Sequence, residues 1–264
     1  MPRFPRPCFV SAGVDKITAP LEAQTGFVES CLPRHSLIIV ETIAANIQEV
    51  RRRIADAAES VGRSPEEVTL VAVTKTRTPD EVRQAVEAGL TIFGENRVQE
   101  AKSKYRLLPD DLTWHMVGHL QRNKAKDAAA IFDCIHSLDS VRIADEVEKQ
   151  SAALGKIMDV LLEVNVSGEE AKFGLKPEEV EGVVRHVAGL PHLRLRGLMT
   201  MAPFVDDAET VRPVFRGLSE LRDRLNDAGI CRLTELSMGM TQDYPVAVQE
   251  GATIVRIGSA IFNV

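Results

Sequence analysis

Short apolar runs alternate with amphipathic segments along most of this chain. The runs cover residues 68–74, 91–93, 113–117, 134–137, 158–165, 193–199, 233–237 and 253–257. Between them, apolar residues recur at helical spacing over about 79–88, 95–107, 121–130, 140–153, 177–188, 207–227 and 242–249. One more helix precedes the first run. Ile43, Ile47, Val50, Ile54, Ala57, Ala58 and Val61 share a face over about 40–61, and Gly62 closes it. Near-continuous apolar strands separated by helices argue for a parallel sheet covered on both faces. An open doubly wound sheet more often carries a GxGxxG turn after its first strand. Here that strand runs into Thr74-Lys75-Thr76-Arg77, and the last two strands end in glycine-bearing turns. The predicted fold is therefore α/β: a single (β/α)8 TIM-type barrel with an extra N-terminal helix.

Residues 1–37 break the pattern. Pro2, Pro5, Pro7, Pro20 and Pro33 punctuate them, and neither helical nor strand periodicity is sustained. They read as a disordered or loosely packed extension, with the barrel domain over 38–264. The segment lacks the apolar core and small-residue cleavage site of a secretory signal.

Charge and cysteines narrow the class. The formal net charge is −6, which argues against wholesale nucleic-acid binding. Arg51-Arg52-Arg53 reads as a solvated helix face. Cys8, Cys31, Cys134 and Cys231 form no CxxC pair, so neither a disulfide framework nor a zinc site is indicated, as in a reducing cytoplasm. No histidine or carboxylate cluster has metal-ligand spacing along the chain, and no metal is expected. The apolar runs are too short to span a bilayer as helices.

The candidate chemistry sits at strand ends. Lys75 shares its face with Val71 and Val73. If that face points inward, Lys75 stands at the rim where barrel enzymes keep their reactive groups. A lysine amine held there can attack a carbonyl and form a Schiff base; the plainer alternative is a lysine that snorkels out at a strand end. The turns Ser237-Met238-Gly239-Met240 and Gly258-Ser259-Ala260 follow the last two strands. Loops at those positions commonly hold phosphate, and glycine lets backbone N–H groups approach an anion. An amine for an aldehyde and a cradle for a phosphate together suit pyridoxal 5′-phosphate (PLP).

Through these residues the chain resembles the pyridoxal phosphate homeostasis proteins (YggS/PROSC-like), whose fold is that of the alanine racemase N-terminal barrel. The matching stretches are VAVTKTRTPDEV around Lys75, FGENRVQEA at 93–101, WHMVGHLQRNK at 114–124 and EVNVSGEEAKFGL at 163–175. GLMTMAP at 197–203, LSMGMTQDYPVAVQEGAT at 236–253 and VRIGSAIF at 255–262 complete the set. The resemblance implies that Lys75 holds PLP as a Schiff base. It implies that Ser237, Gly239, Gly258 and Ser259 hold the phosphate, that Arg256 faces the pyridine nitrogen, and that Asn96 lies near the cofactor. A guanidinium beside that nitrogen disfavours its protonation and makes the ring a poorer electron sink. Each position also has a structural alternative: Arg256 as a core arginine paired with Glu235, Ser237 as a helix cap, Gly258 as packing, Asn96 as a helix start. His115 and His119 near the end of the third strand invite an acid/base reading, and His115 could reach the rim, though a hydrogen-bonded structural histidine is the plainer reading. Glu163 and Asn165 are possible lumen groups without an assigned role. Met199, Met201, Met238 and Met240 are core packing or a soft wall around the ring. One departure from the family pattern is Asn263, where glycine is usual; it bears on the C-terminal closure of the barrel.

The resemblance implies a carrier in vitamin B6 homeostasis rather than an efficient enzyme. A racemase needs a second acid/base opposite the lysine, which alanine racemases draw from a further β-rich domain. Here Tyr105 and Tyr244 are the only tyrosines, and Tyr244 is the one that could lie near the rim. A cofactor-free Schiff-base aldolase is the other alternative; it would keep Lys75 without needing Arg256. A carrier's recipients would be PLP-dependent apo-enzymes, of which the residues carry no mark. A monomer is expected.

Overall fold

In the computed structural model, residues 42–169 and 172–264 are described. The eight strands are β1 (Thr69–Val73), β2 (Ile92–Glu95), β3 (Thr113–Met116), β4 (Cys134–Leu138), β5 (Met158–Glu163), β6 (Leu193–Met199), β7 (Glu235–Ser237) and β8 (Ile254–Ile257). They pair in sequence order, all parallel, and close into a barrel. The closing seam is the β1–β8 pair, in register from Thr69↔Ile254 to Ala72↔Ile257. The helices are α1 (Ile43–Glu59), α2 (Pro79–Glu87), α3 (Val98–Lys104), α4 (Ala125–Ile131), α5 (Val141–Ala153), α6 (Val180–Ala188), α7 (Arg212–Asp227), α8 (Tyr244–Gln249) and α9 (Ser259–Phe262). The predicted order of elements is the observed one, with ends shifted by a few residues, except that α9 forms where the sequence was read as a turn. The extension expected over 1–37 lies outside the described residues.

Alternation along each strand sends its side chains to two separate cores. Val71, Val73, Val117, Leu161, Met199 and Ile254 pack together in the lumen. The opposite faces, with Ala72, Phe93, Val160 and Val255 among them, pack against the ring of helices. The extra helix α1 is capped by the Thr42 hydroxyl, which accepts from the Ala45 N–H. It lays Ile43, Ile47, Val50 and Ile54 against the barrel and packs on α8 and α9.

The departure at Asn263 does not open the barrel. Arg77 donates to the Phe262 carbonyl at 3.2 Å and to Asn263 Oδ1 at 2.6 Å, and Asn46 Nδ2 donates to the Ile261 carbonyl at 3.1 Å. No helix among the described residues is long and apolar enough to cross a membrane.

Candidate functional site

The C-terminal strand ends surround a cavity of about 420 Å³. Lys75, Asn96, Arg256, Gly258 and Ser259, all predicted site residues, line it together. Thr241, Gln242 and Asp243 add polar groups, and Val73, Val117, Met201, Pro203 and Met240 give it an apolar wall. The methionines therefore divide: Met201 and Met240 face the cavity, whereas Met199 fills the lumen and Met238 the outer core.

Lys75 follows β1 by two residues, past the inward-facing Val71 and Val73, and is exposed at the mouth. The turn that presents it is held from below. Thr74 Oγ1 donates to Glu95 Oε1 at 2.6 Å, and Lys104 Nζ donates both to that oxygen and to the Thr74 carbonyl, each at 2.6 Å. Glu95 and Lys104 form a buried ion pair, and Glu95 Oε2 is buried without a partner. Asn96, next to Glu95, is backed by Gly118. A Cβ at Gly118 would lie 2.4 Å from the Asn96 carbonyl oxygen, so no larger residue permits this approach.

Arg256 rises from β8 and is 4 % exposed. Its Nη1 donates to Ser237 Oγ at 2.6 Å and its Nη2 to the Thr200 carbonyl at 3.0 Å. Burial pulls it down to about 10, while the nearby Glu163 and Asp243 favour its charge. Its alternative partner from sequence, Glu235, is engaged elsewhere, accepting from Arg196 Nη2 at 3.3 Å and Thr253 Oγ1 at 2.6 Å. Glu163 lies 2 % exposed, and burial pushes its carboxyl up to about 7; Asp139 adds to the rise and Arg256 opposes it.

Two predicted residues do not line the cavity. Ser237 is fully buried, its hydroxyl set between Arg256 and His136 Nδ1, the latter at 2.9 Å. It braces the guanidinium from beneath. Gly239 shapes the turn above. Its φ of +90° favours glycine, and a Cβ there would lie 2.6 Å from that of Ala247. The Met240 N–H that follows donates to Asp243 Oδ1 at 2.6 Å, and the Gly239 carbonyl accepts from the Arg256 N–H at 3.0 Å. Ser259 Oγ donates to Thr241 Oγ1 at 3.1 Å, which ties the two glycine-bearing turns together.

Other candidates fall into place. Tyr244 is fully buried at the start of α8, its ring under the Arg53 guanidinium at 5.2 Å, and not at the rim as the sequence allowed. Asn165 organises its own loop, accepting from the Gly168 N–H and donating to the Glu169 carbonyl. His115 does not reach the rim. Its Nδ1 lies 2.9 Å from His136 Nε2 inside the lumen, and burial lowers it to about 4. Thr241, Arg77 and Asp243 are site residues the sequence reading passed over. Thr241 and Asp243 sit inside the matched stretch that follows Gly239, and that was the available signal.

The whole of residues 38–264 matches the family model described as alanine racemase, N-terminal domain. The pyridoxal phosphate homeostasis protein of Aquifex aeolicus (strain VF5) is 44% identical over 82% of this chain and 96% of its own length. That of Pseudomonas aeruginosa is 43% identical over 85% of this chain and 96% of its own length. PipY of Synechococcus elongatus PCC7942, solved with PLP bound, is 36% identical with a TM-score of 0.74, covering 84% of this chain and 100% of that one. With an alanine racemase N-terminal barrel, a lysine at the mouth of its cavity and relatives matched over nearly their whole length, the chain belongs to the pyridoxal phosphate homeostasis protein family.

Proposed function

We propose that this chain binds PLP reversibly in the Lys75 cavity and serves the intracellular balance of that cofactor as a carrier. The carrying observation is the convergence of Lys75, Arg256, Gly258 and Ser259, far apart in sequence, on one cavity. The donor set suits the ligand. Lys75 offers an amine to an aldehyde; the backbone and hydroxyls of Ser259 and Thr241 offer donors to a phosphate; the Val73, Val117 and Met201 wall suits a flat ring. Bound there, PLP would supply an aldehyde and an electron-accepting ring. Lys75 would join it as a Schiff base, with one water leaving per bond formed. Arg256 keeps a positive charge beside the lumen, held by Ser237 and Thr200, which disfavours protonation of a facing ring nitrogen. That weakens carbanion chemistry and supports a carrier over a racemase, as does the burial of Tyr244 away from the mouth.

The test is an absorbance spectrum of the purified full chain with PLP, before and after borohydride, followed by peptide mapping. The expected result is a long-wavelength band that borohydride removes, with the reduced adduct on Lys75. Lys75→Ala is expected to lose the band while keeping weak, phosphate-anchored binding. Chain that stays colourless with PLP, or an adduct mapped elsewhere, would overturn the reading.

A further inference from the structure

We propose that His115, Cys134 and His136 bind a divalent transition-metal ion of the zinc class inside the barrel, at the end of the lumen opposite Lys75. The three residues come from neighbouring strands, β3 and β4, which pair with His115 beside Cys134. On β3, His115 shares the inward parity of Val117, a member of the lumen core. Cys134 opens β4, and His136 follows it on the same face. The result is a convergence that spacing along the chain conceals.

One donor atom from each side chain lies within 4.8 Å of the other two, and all three residues are buried. His115 Nδ1 and His136 Nε2 are 2.9 Å apart. A tetrahedral zinc-type site, with nitrogens at about 2.0–2.1 Å and sulfur at about 2.3 Å from the ion, spaces its donors roughly 3.3–3.7 Å apart. The imidazoles therefore need to part by a few tenths of an ångström, and the thiol to swing in. Two imidazoles and a thiolate are a borderline-soft set, suited to zinc or cobalt(II) rather than magnesium or calcium. They leave a fourth position for water.

The surroundings supply what such a site needs. His136 Nδ1 lies 2.9 Å from Ser237 Oγ, so an ion on Nε2 leaves the ring hydrogen on Nδ1, donated to that hydroxyl. Burial lowers the pKa of His115 against the negative charge that Asp133, Asp159 and Glu235 place near it, and burial with the same carboxylates raises that of the Cys134 thiol, so the ion itself has to displace the thiol proton. Asp159 is bridged to Arg194, and Glu235 to Arg196, so the carboxylates are already held in place. Cys134 and Glu235 each stand first on their strands, at the N-terminal end of the barrel, and Asp159 stands second on β5. Cys134 and His115, 7 % and 8 % exposed, offer the approach from solvent. Binding forms one metal–sulfur and two metal–nitrogen bonds and breaks the S–H bond. The thiol proton goes to water, each imidazole keeps its single hydrogen on its outer nitrogen, and no oxidation state changes.

The test uses the full chain, stripped with a chelator and titrated with Co²⁺. The expected result is one equivalent bound, with a thiolate-to-cobalt charge-transfer band, and displacement by Zn²⁺. Cys134→Ser is expected to lose that band and to weaken Co²⁺ binding by on the order of 100-fold. Its circular dichroism and midpoint of unfolding without metal are expected to match the parent. Cys231→Ser is expected to keep the band. A titration without a charge-transfer band, or a band that survives Cys134→Ser, would overturn the assignment. Metal affinity is read apart from PLP binding, so this proposal can fail while the carrier reading stands, and the reverse.

Discussion

The Thr76 backbone N–H donates to Glu100 Oε2 at 3.1 Å, and among the described residues Thr76 is the one non-glycine with positive φ, at +63°. A β-branched residue in the left-handed region is strained, by about 1–2 kcal/mol. Its neighbour is Lys75, so the strain lies in the turn that presents the amine. Glu100, from α3, adds a hold on the turn at Thr76 itself, beside the Thr74–Glu95–Lys104 bonds beneath it. Glu100→Ala is expected to lower the fraction of PLP trapped by borohydride more than it lowers total PLP binding. Thr76→Gly in the same background is expected to restore trapping, because glycine adopts this φ without cost. Equal losses of trapping and binding, with no rescue, would show that Glu100 only stabilises the fold.

Glu163 is expected to give the protein a distinct pH dependence. Burial holds its carboxyl at about 7 in the folded state, against an ordinary value of 4.5. Between these values the folded chain keeps a proton that the unfolded chain has released, so stability falls as pH rises through that window. The full penalty, present above pH 7, is about 3 kcal/mol. Glu163→Gln is expected to remove it. In urea denaturation at pH 5 and pH 8, the variant's loss between the two should be smaller than the parent's by about that amount. Parallel behaviour of the two proteins would mean that the carboxyl is not ionised at a cost.

The Glu95–Lys104 pair predicts a severe core defect. Lys104→Met removes the one cation that, among the described residues, bonds a carboxylate that already has one unpartnered oxygen. Breaking a buried pair by removing one partner costs about 3–5 kcal/mol. The midpoint of chemical denaturation should fall accordingly, and the double variant Glu95→Leu, Lys104→Met should recover part of the loss.

Ser237→Ala tests the brace under Arg256. It leaves the guanidinium with the Thr200 carbonyl and strips His136 Nδ1 of its neighbour. Losing a buried acceptor of this kind costs about 1–3 kcal/mol of stability. PLP affinity is expected to fall about tenfold, the equivalent of about 1.4 kcal/mol. Unchanged affinity would mean that Thr200 alone suffices to aim the arginine.

The barrel was legible because its strands are short, apolar on both faces and separated by helices with clear periodicity. Runs such as 68–74 needed no tertiary information to be recognised. Strand ends were less so: Leu233 precedes β7, because its N–H and carbonyl bond to the side chain of Asn226 and not to a neighbouring strand. At the site, Lys75 was legible as the polar residue ending an apolar strand. Ser237, assigned to the phosphate through the resemblance, has its hydroxyl engaged by Arg256 and His136, a pairing across strands that sequence order does not state. The Glu95–Lys104 pair and the cluster of His115, Cys134 and His136 were hidden for another reason. The first joins a strand to the following helix in the interior, and the second depends on strand register, which the sequence order of residues does not state.

Arg77, two residues after Lys75, reaches across to Phe262 and Asn263, while Val264 beyond them is exposed. The loop carrying Lys75 and the stretch at 262–263 are thus clasped by one side chain. Removing that side chain, as in Arg77→Ala, would therefore free two segments at once, and their mobility would rise together.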